Sequence, residues 1–444
     1  MTGRSAGPLA SLLAAQTLAV SGNVVTLIAL PLYVLAETGS AVMAGVLAVA
    51  TTVPVVLGGA FGGVLVDRFG YRRSSVVSDV VGGVTVGAIP LLHATVGVPI
   101  PVLLALVFAT GLLDTPGQAA RTALVPEAAA LARVPLERAM GWWGAAERGA
   151  RLAGAPLAGL LVAWIGPLPV LVVNAATFGL SALVVAAGVP AGLRPADDDA
   201  ALRPAAADDA ATGPARTGGG GSDRGPAVTA GYWTSLAEGV RVLWRNRLLR
   251  AVTVMVFATN ALDIGRSSVI LPVYATRELA GAASFGLLVG ASGLGALAGA
   301  LLFSVVGTRL PRRATYATGF LLGGPPMFFV LAARPGLGWC LVATVLAGLA
   351  SGALNPIIGT VTLEQVPASM RARVQGVVGA GAWAAMPAGA LLTGLLVQGL
   401  GVIPSLLLCG GCYLLATLPP FFGGVWAGLD RGAPGAPGAA TVAR

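Results

Sequence analysis

The chain has 444 residues and a net charge of +9, with 56% hydrophobic and only 10% charged residues. Soluble proteins carry roughly 25% charged residues, so this composition excludes an ordinary soluble domain and predicts an all-α polytopic membrane protein. All 27 basic residues are arginine, and we expect them to mark cytoplasmic loops and not a nucleic-acid site.

Twelve apolar stretches predict twelve transmembrane helices, because each is close to or above the roughly 20 residues that cross a hydrocarbon core as a helix. The first stretch continues through Pro31 and Tyr33 without a good cleavage site, so we interpret it as a span and not as a secretory signal. The predicted spans are residues 9–35, 41–65, 75–93, 99–121, 138–165, 168–188, 249–275, 284–306, 315–333, 338–361, 374–398 and 404–422.

The short loop between the second and third spans is crowded with charge and reads GVLVDRFGYRR. Its spacing resembles the signature loop between the second and third helices of the major facilitator superfamily, where the loop is a cytoplasmic latch. The resemblance implies a gating motif made of Gly63, Asp67, Arg68, Gly70, Arg72 and Arg73. The corresponding loop of the second half has Thr308 in place of the aspartate, so the motif is complete only in the first half.

Arginine placement predicts which side of the membrane each loop faces. The loops after even-numbered spans hold Arg68, Arg72, Arg73, Arg121, Arg133, Arg138, Arg309, Arg312, Arg313, Arg371 and Arg373. The opposite loops hold only Arg277 and Arg334. We therefore expect a multi-pass protein of the plasma membrane with both termini on the cytoplasmic side.

The two halves of the chain repeat each other. Pro31 and Tyr33 reappear 241 residues later as Pro272 and Tyr274, and this register continues into the loop arginines. Such repeats are typical of major facilitator transporters, whose halves are related by an axis along the membrane normal. The predicted six-helix halves are residues 1–189 and residues 249–422.

Three segments lie outside the predicted halves. Residues 190–231 are rich in Ala, Asp, Pro and Gly, which predicts a flexible cytoplasmic linker. Residues 232–248 place apolar side chains at helical spacing with arginines between them, which predicts an amphipathic surface helix on the inner leaflet. Residues 423–444 are expected to form a cytoplasmic tail.

Four ionisable residues fall at bilayer depth on the fourth and fifth spans, where charge usually indicates function. Glu147 and Arg151 are four residues apart with the acid first, the favourable orientation for a pair on one helix. Arg148 points elsewhere and is expected to meet Asp114. Two interpretations stay open: ion pairs that only fix packing, or a relay in which a carboxylate takes up a proton when its arginine moves away.

Polar stripes on the first and seventh spans predict a central substrate cavity between the halves. The stripes are Gln16, Asn23 and Thr26 on the first span, and Asn260, Asp263 and Ser267 on the seventh, with Arg266 on the flank. Asp263 lies near mid-depth and is the leading candidate for substrate or proton binding. The alternative is a local Asp263–Arg266 pair that tunes packing.

The fifth span contains Gly154-Ala-Pro-Leu-Ala-Gly159. This run partly resembles the Gly-Pro-x-x-Gly-Gly signature associated with antiporters of the family. Pro156 and Gly159 match the signature, whereas Ala155 and Leu160 replace glycines. The resemblance implies antiport.

Nearly the whole chain resembles a twelve-helix drug/proton antiporter of the major facilitator superfamily. Stretches such as Ile28-Ala-Leu-Pro-Leu32, Leu236-Ala-Glu-Gly239 and Asn355-Pro356 are most similar to the macrolide and enterobactin exporter branch. The resemblance implies alternating access, with export of a drug or secondary metabolite against proton entry. The alternatives are a proton-coupled importer or facilitator of a small organic solute and, less in accord with the polar stripes, a non-transporting scaffold or sensor.

The remaining residues predict little further chemistry. No catalytic triad, metal cluster or phosphate-binding loop occurs in the sequence, so we expect neither an enzyme nor a cofactor or metal site; Cys409-Gly-Gly-Cys412 is interpreted as small packing residues. The expected partners are a small-molecule substrate, protons and membrane lipids, and we expect a monomer. Trp142, Trp143 and Trp383 near Ala, Gly, Leu and Val favour a bulky amphipathic ligand over a sugar.

Overall fold

A computed structural model describes residues 5–193, 237, 238, 240–366 and 370–430, without the side chains of 59–65, 67, 68, 308, 371–373, 375, 376 and 380. The described part of the chain is helical, and its twelve long helices confirm the predicted fold class. They are α1 (Gly7–Thr38), α2 (Ala41–Phe69), α3 (Tyr71–Thr95), α4 (Ile100–Ala123), α5 (Leu136–Ile165), α6 (Pro167–Gly188), α7 (Arg247–Glu278), α8 (Ala282–Val306), α9 (Arg312–Ala333), α10 (Leu337–Gln365), α11 (Arg371–Leu400) and α12 (Val402–Thr417).

Eleven of these helices are long and apolar enough to cross a membrane. The exception is α5, whose 30 residues include Glu147, Arg148 and Arg151 in its middle turns. Its C-terminal part, Leu157 to Ile165, is apolar like the other spans. We therefore interpret α5 as the twelfth span.

Local backbone chemistry explains where several helices turn or break. A single residue, Gly70, joins α2 to α3 with φ of 82°, a conformation that favours glycine. The α7 helix widens into one π-helical turn at Arg266–Ile270, where the Leu271 N–H donates to the Arg266 carbonyl. Pro272 has no N–H to bond the carbonyl four residues earlier, which accounts for the irregular turn.

Arg121 corrects the expected loop assignment. The α4 helix continues to Ala123, and the Arg121 side chain in its last turn is fully buried. A short helix, Val125–Ala132, follows and packs its apolar residues onto the same end of the first half. Arg121 therefore belongs to the interior of the helix bundle and not to a surface loop.

The expected tail beginning at residue 423 is partly docked on the second half. A 3₁₀ helix at Gly424–Leu429 buries Trp426 and Leu429. The Trp426 ring stacks on Tyr316 with centroids 6.0 Å apart, and Asp430 Oδ1 accepts a hydrogen bond of 2.9 Å from the Arg313 backbone N–H. Residues 424–430 of the expected cytoplasmic tail are therefore packed on the second half, and residues 431–444 lie outside the described part.

Of the predicted surface helix at 232–248, residues 237, 238 and 240–245 are helical. Asn246 is not helical, and it caps α7, to which residues 247 and 248 already belong. Leu243 is buried against the start of α7 and α11, whereas Trp244 is exposed. This alternation is that of a helix lying on a surface. The predicted linker lies outside the described residues from 194 onward.

The apolar core is shared between the two halves at one end of the molecule only. Buried residues from both halves, among them Ile28, Tyr33, Tyr274 and Phe285, form one cluster at the end away from the arginine-rich loops. Toward those loops, the described residues form separate clusters, each drawn from a single half. The halves are therefore joined at one end and independently packed at the other.

Small residues allow the halves to touch backbone to backbone at the joined end. A Cβ atom added to Gly159 of α5 would lie 2.8 Å from the Gly286 Cα of α8. On the other side of the molecule, a Cβ added to Gly45 of α2 would lie 2.8 Å from the Ala390 carbonyl oxygen of α11. Close approach through small residues is the usual way in which transmembrane helices associate. These two crossings close that end of the molecule.

Gly159→Val is expected to disrupt this closure. The added side chain has no space against α8, and overpacking of this kind costs about 1–3 kcal/mol. We expect transport to fall and the halves to separate at the joined end, measured as longer spin-label distances between them by electron paramagnetic resonance. Gly149→Val is the matched control in the same helix, because a Cβ there meets nothing within 4 Å. Equal effects of the two variants would contradict the assigned contact.

Candidate transport cavity and its ionisable groups

A cavity of about 620 Å³ lies between the halves. Most of its wall comes from α1, α2 and α4, with Ser268 of α7 and Trp383 of α11 added by the second half. About half of the described wall residues are aliphatic or small, ten of the 23 are polar, and Asp114 is the only carboxylate among them. A pocket that combines apolar surface with placed polar groups is the usual form of a small-molecule site.

Asp114 is held by amide groups and not by an arginine. The Asn23 amide of α1 donates to its Oδ2 at 2.9 Å, and the Gln118 amide, one turn along α4, donates to the same oxygen at 2.8 Å. The other oxygen, Oδ1, is buried without a hydrogen-bond partner in the described structure. Asp114 therefore lines the cavity with a carboxyl group that has one buried oxygen without a partner.

The expected contact between Asp114 and Arg148 is not formed. Arg148 is exposed on α5, so its position on the helix turns it away from the α4 carboxylate. The second expected pair does form: Arg151 Nη2 lies 3.1 Å from Glu147 Oε1, with side chains 60% and 37% exposed. Arg151 also reaches the cavity wall, which brings this pair to the same space as Asp114.

The structure brings together only part of the predicted cavity stripes. Asn23 and Thr26 line the cavity, whereas Gln16, Asn260, Asp263 and Arg266 are not among its described wall residues. Asn260 instead donates to the Ala382 carbonyl at 3.1 Å. Of the three tryptophans expected near the ligand, Trp383 lines the cavity, Trp143 is buried elsewhere and Trp142 is 45% exposed.

Asp263 belongs to a compact polar cluster inside the second half. Arg266 Nη2 lies 3.2 Å from its Oδ1, and the Tyr413 hydroxyl of α12 donates to its Oδ2 at 3.0 Å. The Arg266 guanidinium also lies over the Phe328 ring, 5.8 Å from the centroid. The local Asp263–Arg266 pair, given as the alternative from the sequence, is the arrangement present here.

The most deeply buried ion pair was missed by the sequence analysis. Arg121 Nη1 lies 2.8 Å from Asp79 Oδ1 of α3, with the two side chains 0% and 1% exposed. Gln16 accepts a hydrogen bond of 3.3 Å from Arg121 Nε, and Ser181 donates to Asp79 Oδ2 at 2.7 Å. Gln16 is thereby occupied inside the first half. A signal was available, since Asp79 falls inside the predicted third span, where a charge needs a partner.

Two of the three motif residues on α5, Pro156 and Gly159, lie at the interface between the halves. Gly159 packs against Gly286, Pro156 lies against Gly290 of α8, and Gly154 faces Val24 of α1. The antiporter-like run therefore forms the close crossing of α5 with α8.

Only some side chains of the predicted gating loop are described. Arg72 donates to the Ala186 carbonyl at the end of α6, and Arg73 is exposed. The side chains of Asp67 and Arg68, and the surroundings of Gly63, lie outside the described residues. The latch assignment stays a prediction.

The Asp79–Arg121 pair generates a stability prediction. Arg121→Met alone or Asp79→Leu alone leaves a buried charge unpaired, which costs about 3–5 kcal/mol. The double variant removes both charges and is expected to be more stable than either single variant, measured by thermal unfolding in detergent. Arg334→Met is the control, because Arg334 is exposed and its pair with Glu278 is only partly buried, so that the pair is worth about 1 kcal/mol. A double variant as unstable as the sum of the singles would contradict the pairing.

Comparison with known proteins identifies relatives of the chain. The sequence profile of the Major Facilitator Superfamily matches residues 12–279 and again residues 254–442. The chain is 31% identical over 405 residues to the multidrug efflux pump Tap of Mycobacterium tuberculosis (strain ATCC 25618 / H37Rv), with 90% of each protein covered. Tap of Mycolicibacterium fortuitum is also 31% identical, over 90% of this chain and 92% of its own.

Solved transporters share the fold. The nucleoside transporter NupG superimposes with a TM-score of 0.71 at 12% identity, covering 93% of this chain and 98% of NupG. A bacterial homologue of the human lysosomal transporter Spinster, in an inward-facing and unoccupied conformation, gives 0.69 at 14% identity, covering 98% and 100%. From the family profile and the identity to Tap, we conclude that this chain belongs to the Major Facilitator Superfamily and is a membrane transporter, not an enzyme.

Proposed function

We propose that this transporter exports bulky, amphipathic drug-like or secondary-metabolite molecules by proton antiport, through alternating access to the cavity between its halves. The observation that carries the proposal is Asp114, a carboxyl group that lines the cavity and has one buried oxygen without a hydrogen-bond partner. The name of its relative Tap, a multidrug efflux pump, supports export as the direction.

Asp114 couples substrate export to proton entry because a proton and a cationic or hydrogen-bonding substrate compete for the same carboxyl group. Removal from water favours the neutral form of a carboxyl group, and a nearby cation favours the charged form. Its two amide donors occupy Oδ2 and keep the group in place. Oδ1 is then the atom that binds the proton when the site is empty and releases it when a ligand arrives.

Glu147 and Arg151 form the second part of the proposed relay. Arg151 lies on the cavity wall together with Asp114, and its partner Glu147 lies one turn away on α5. A guanidinium that leaves Glu147 and turns toward Asp114 would displace the proton held there. Arg148 is exposed on the same helix and does not contact Asp114. Its place in the relay rests on the sequence pattern alone.

Asp263 is the competing proton carrier. Its carboxylate is already bonded by Arg266 and by the Tyr413 hydroxyl, so proton uptake there requires both contacts to change. Asp114 needs no such rearrangement, and we therefore place the coupling proton on Asp114.

We further propose that the arginine-rich end faces the cytoplasm. The halves pack separately at that end, so the cavity would load substrate and exchange protons from the cytoplasmic side in this conformation. The loop from Gly63 to Arg73 would then act as the inner gate. The transporter would work as a monomer in the plasma membrane with both termini inside.

Asp114→Asn is expected to reduce transport driven by a pH gradient at least tenfold while leaving the fold intact. The amide keeps the size of the side chain but cannot exchange the proton. The measurement is uptake of a fluorescent cationic dye into inside-out proteoliposomes with and without an imposed gradient. Asp263→Asn is the comparison variant. Full gradient-driven transport by Asp114→Asn, with loss in Asp263→Asn, would move the proton to the second half.

Trp383→Ala is expected to weaken binding of aromatic substrates roughly threefold to tenfold, because one aromatic contact is worth about 0.5–1.5 kcal/mol. Binding of aliphatic substrates should change less. Trp339→Ala is the matched control, since Trp339 is 69% exposed and lies outside the cavity wall. Ligand titration by intrinsic fluorescence checks both variants, and equal losses would contradict the role of Trp383.

A further inference from the structure

A second cavity lies on the surface of the second half, away from the transport cavity. It is a groove of about 540 Å³ between the beginning of α7 and the end of α12. Its walls are apolar, with Val254, Met255 and Ala258 from α7 and Ala416 from α12. Val254 is 54% exposed within a membrane span, so the groove opens to the hydrocarbon of the bilayer. None of its residues lines the transport cavity.

Positive charge is concentrated at one end of this groove. Arg247 and Arg250 form part of its wall, and both are exposed. Within the described part of the chain, neither guanidinium forms an ion pair with a carboxylate. The charge of these two arginines is thus available to an anion.

An aromatic residue stands at the same end of the groove. The Arg250 guanidinium carbon lies 6.0 Å from the centroid of the Trp244 ring, and Trp244 is 53% exposed. Tryptophan is enriched at the level of the lipid head groups. Its position therefore indicates the depth at which the aqueous interface meets the groove.

The backbone of α7 is not the expected anion ligand. The Asn246 side chain already accepts from the N–H groups of Leu248 and Leu249, at 3.0 and 3.1 Å. An anion here would be bound by the guanidinium groups.

We propose that this groove binds one anionic phospholipid. An acyl chain lies along Val254, Met255, Ala258 and Ala416, and the phosphate contacts Arg247 and Arg250. A groove that opens to hydrocarbon selects a lipid over a water-soluble anion, and arginines at the interface select an anionic head group over a zwitterionic one. Each arginine contributes about fivefold to this selection.

A neighbouring groove provides an internal comparison. A cavity of about 580 Å³ between α8, α9 and α10 is also apolar, and no arginine contributes to its described wall. Its described wall carries no cationic side chain that could choose a head group. Of these two grooves, we expect the α7–α12 groove to show the head-group preference.

The bound lipid would connect parts of the second half that are distant in sequence. Val425 and Trp426, from the docked segment after α12, also line the groove. The lipid would thus hold the beginning of α7, the end of α12 and this segment together. The site is independent of which substrate the transporter exports.

The test uses the full-length purified protein after delipidation. Phosphatidylglycerol, phosphatidylcholine and inorganic phosphate are titrated separately, with bound lipid counted by native mass spectrometry and stability followed by thermal unfolding. We expect phosphatidylglycerol to bind and stabilise, and phosphatidylcholine and phosphate to have little effect. The double variant Arg247→Gln/Arg250→Gln should weaken phosphatidylglycerol binding about 25-fold, whereas the control Arg309→Gln, an exposed arginine outside the groove, should not.

A second variant tests the groove without changing charge. Ala258→Trp fills the apolar wall and should reduce lipid occupancy while both arginines remain. Equal binding of phosphatidylcholine and phosphatidylglycerol would overturn the proposal, as would unchanged binding in both groove variants. Stabilisation by inorganic phosphate to the same extent would replace the lipid site with a simple anion site.

Discussion

The structure depends on an apolar contact that joins the two halves at one end. Transmembrane helices gain no hydrophobic energy by leaving lipid, so their association relies on close packing of small residues. Gly159 against Gly286 and Gly45 against Ala390 provide that packing. Because no ion pair of the described residues crosses this contact, it can separate without leaving buried charges exposed to lipid. A seal of this kind suits a protein whose halves must part and rejoin.

No ion pair of the described structure crosses the contact between the halves. All five pairs in the described structure join residues of the same half: Asp79–Arg121, Glu147–Arg151, Asp263–Arg266, Glu364–Arg312 and Glu278–Arg334. Breaking a buried pair costs several kcal/mol, so pairs between the halves would oppose rocking. Charge therefore stabilises each half as a body, and the relay we propose exchanges partners only within the first half, at Glu147, Arg151 and Asp114.

Local sequence patterns predicted much of the fold, but they could not predict contacts between residues that are distant in the sequence. Apolar length identified the twelve spans, and spacing of three or four residues identified the Asp263–Arg266 and Glu147–Arg151 pairs, because partners on one helix are visible in the sequence. Asp79 and Arg121 lie 42 residues apart, and only the packing of α3 on α4 brings them together. The same reason hid the Asn23–Asp114 contact, and made Arg148 appear a plausible partner for a carboxylate that amides already hold.

The π-helical turn of α7 has a consequence for how this helix changes register. A π turn contains one more residue than an α turn, and such turns occur frequently at functional sites. C-terminal to the π turn, residues from Leu271 to Ala275 are packed in the shared core. N-terminal to it, Asn260 is hydrogen-bonded to the Ala382 carbonyl and Asp263 to the Tyr413 hydroxyl. If the π turn became an ordinary α turn, the helix N-terminal to it would rotate by about 100° about the helix axis. The helix can thus exchange the face it shows to its neighbours while its C-terminal end stays in the seal.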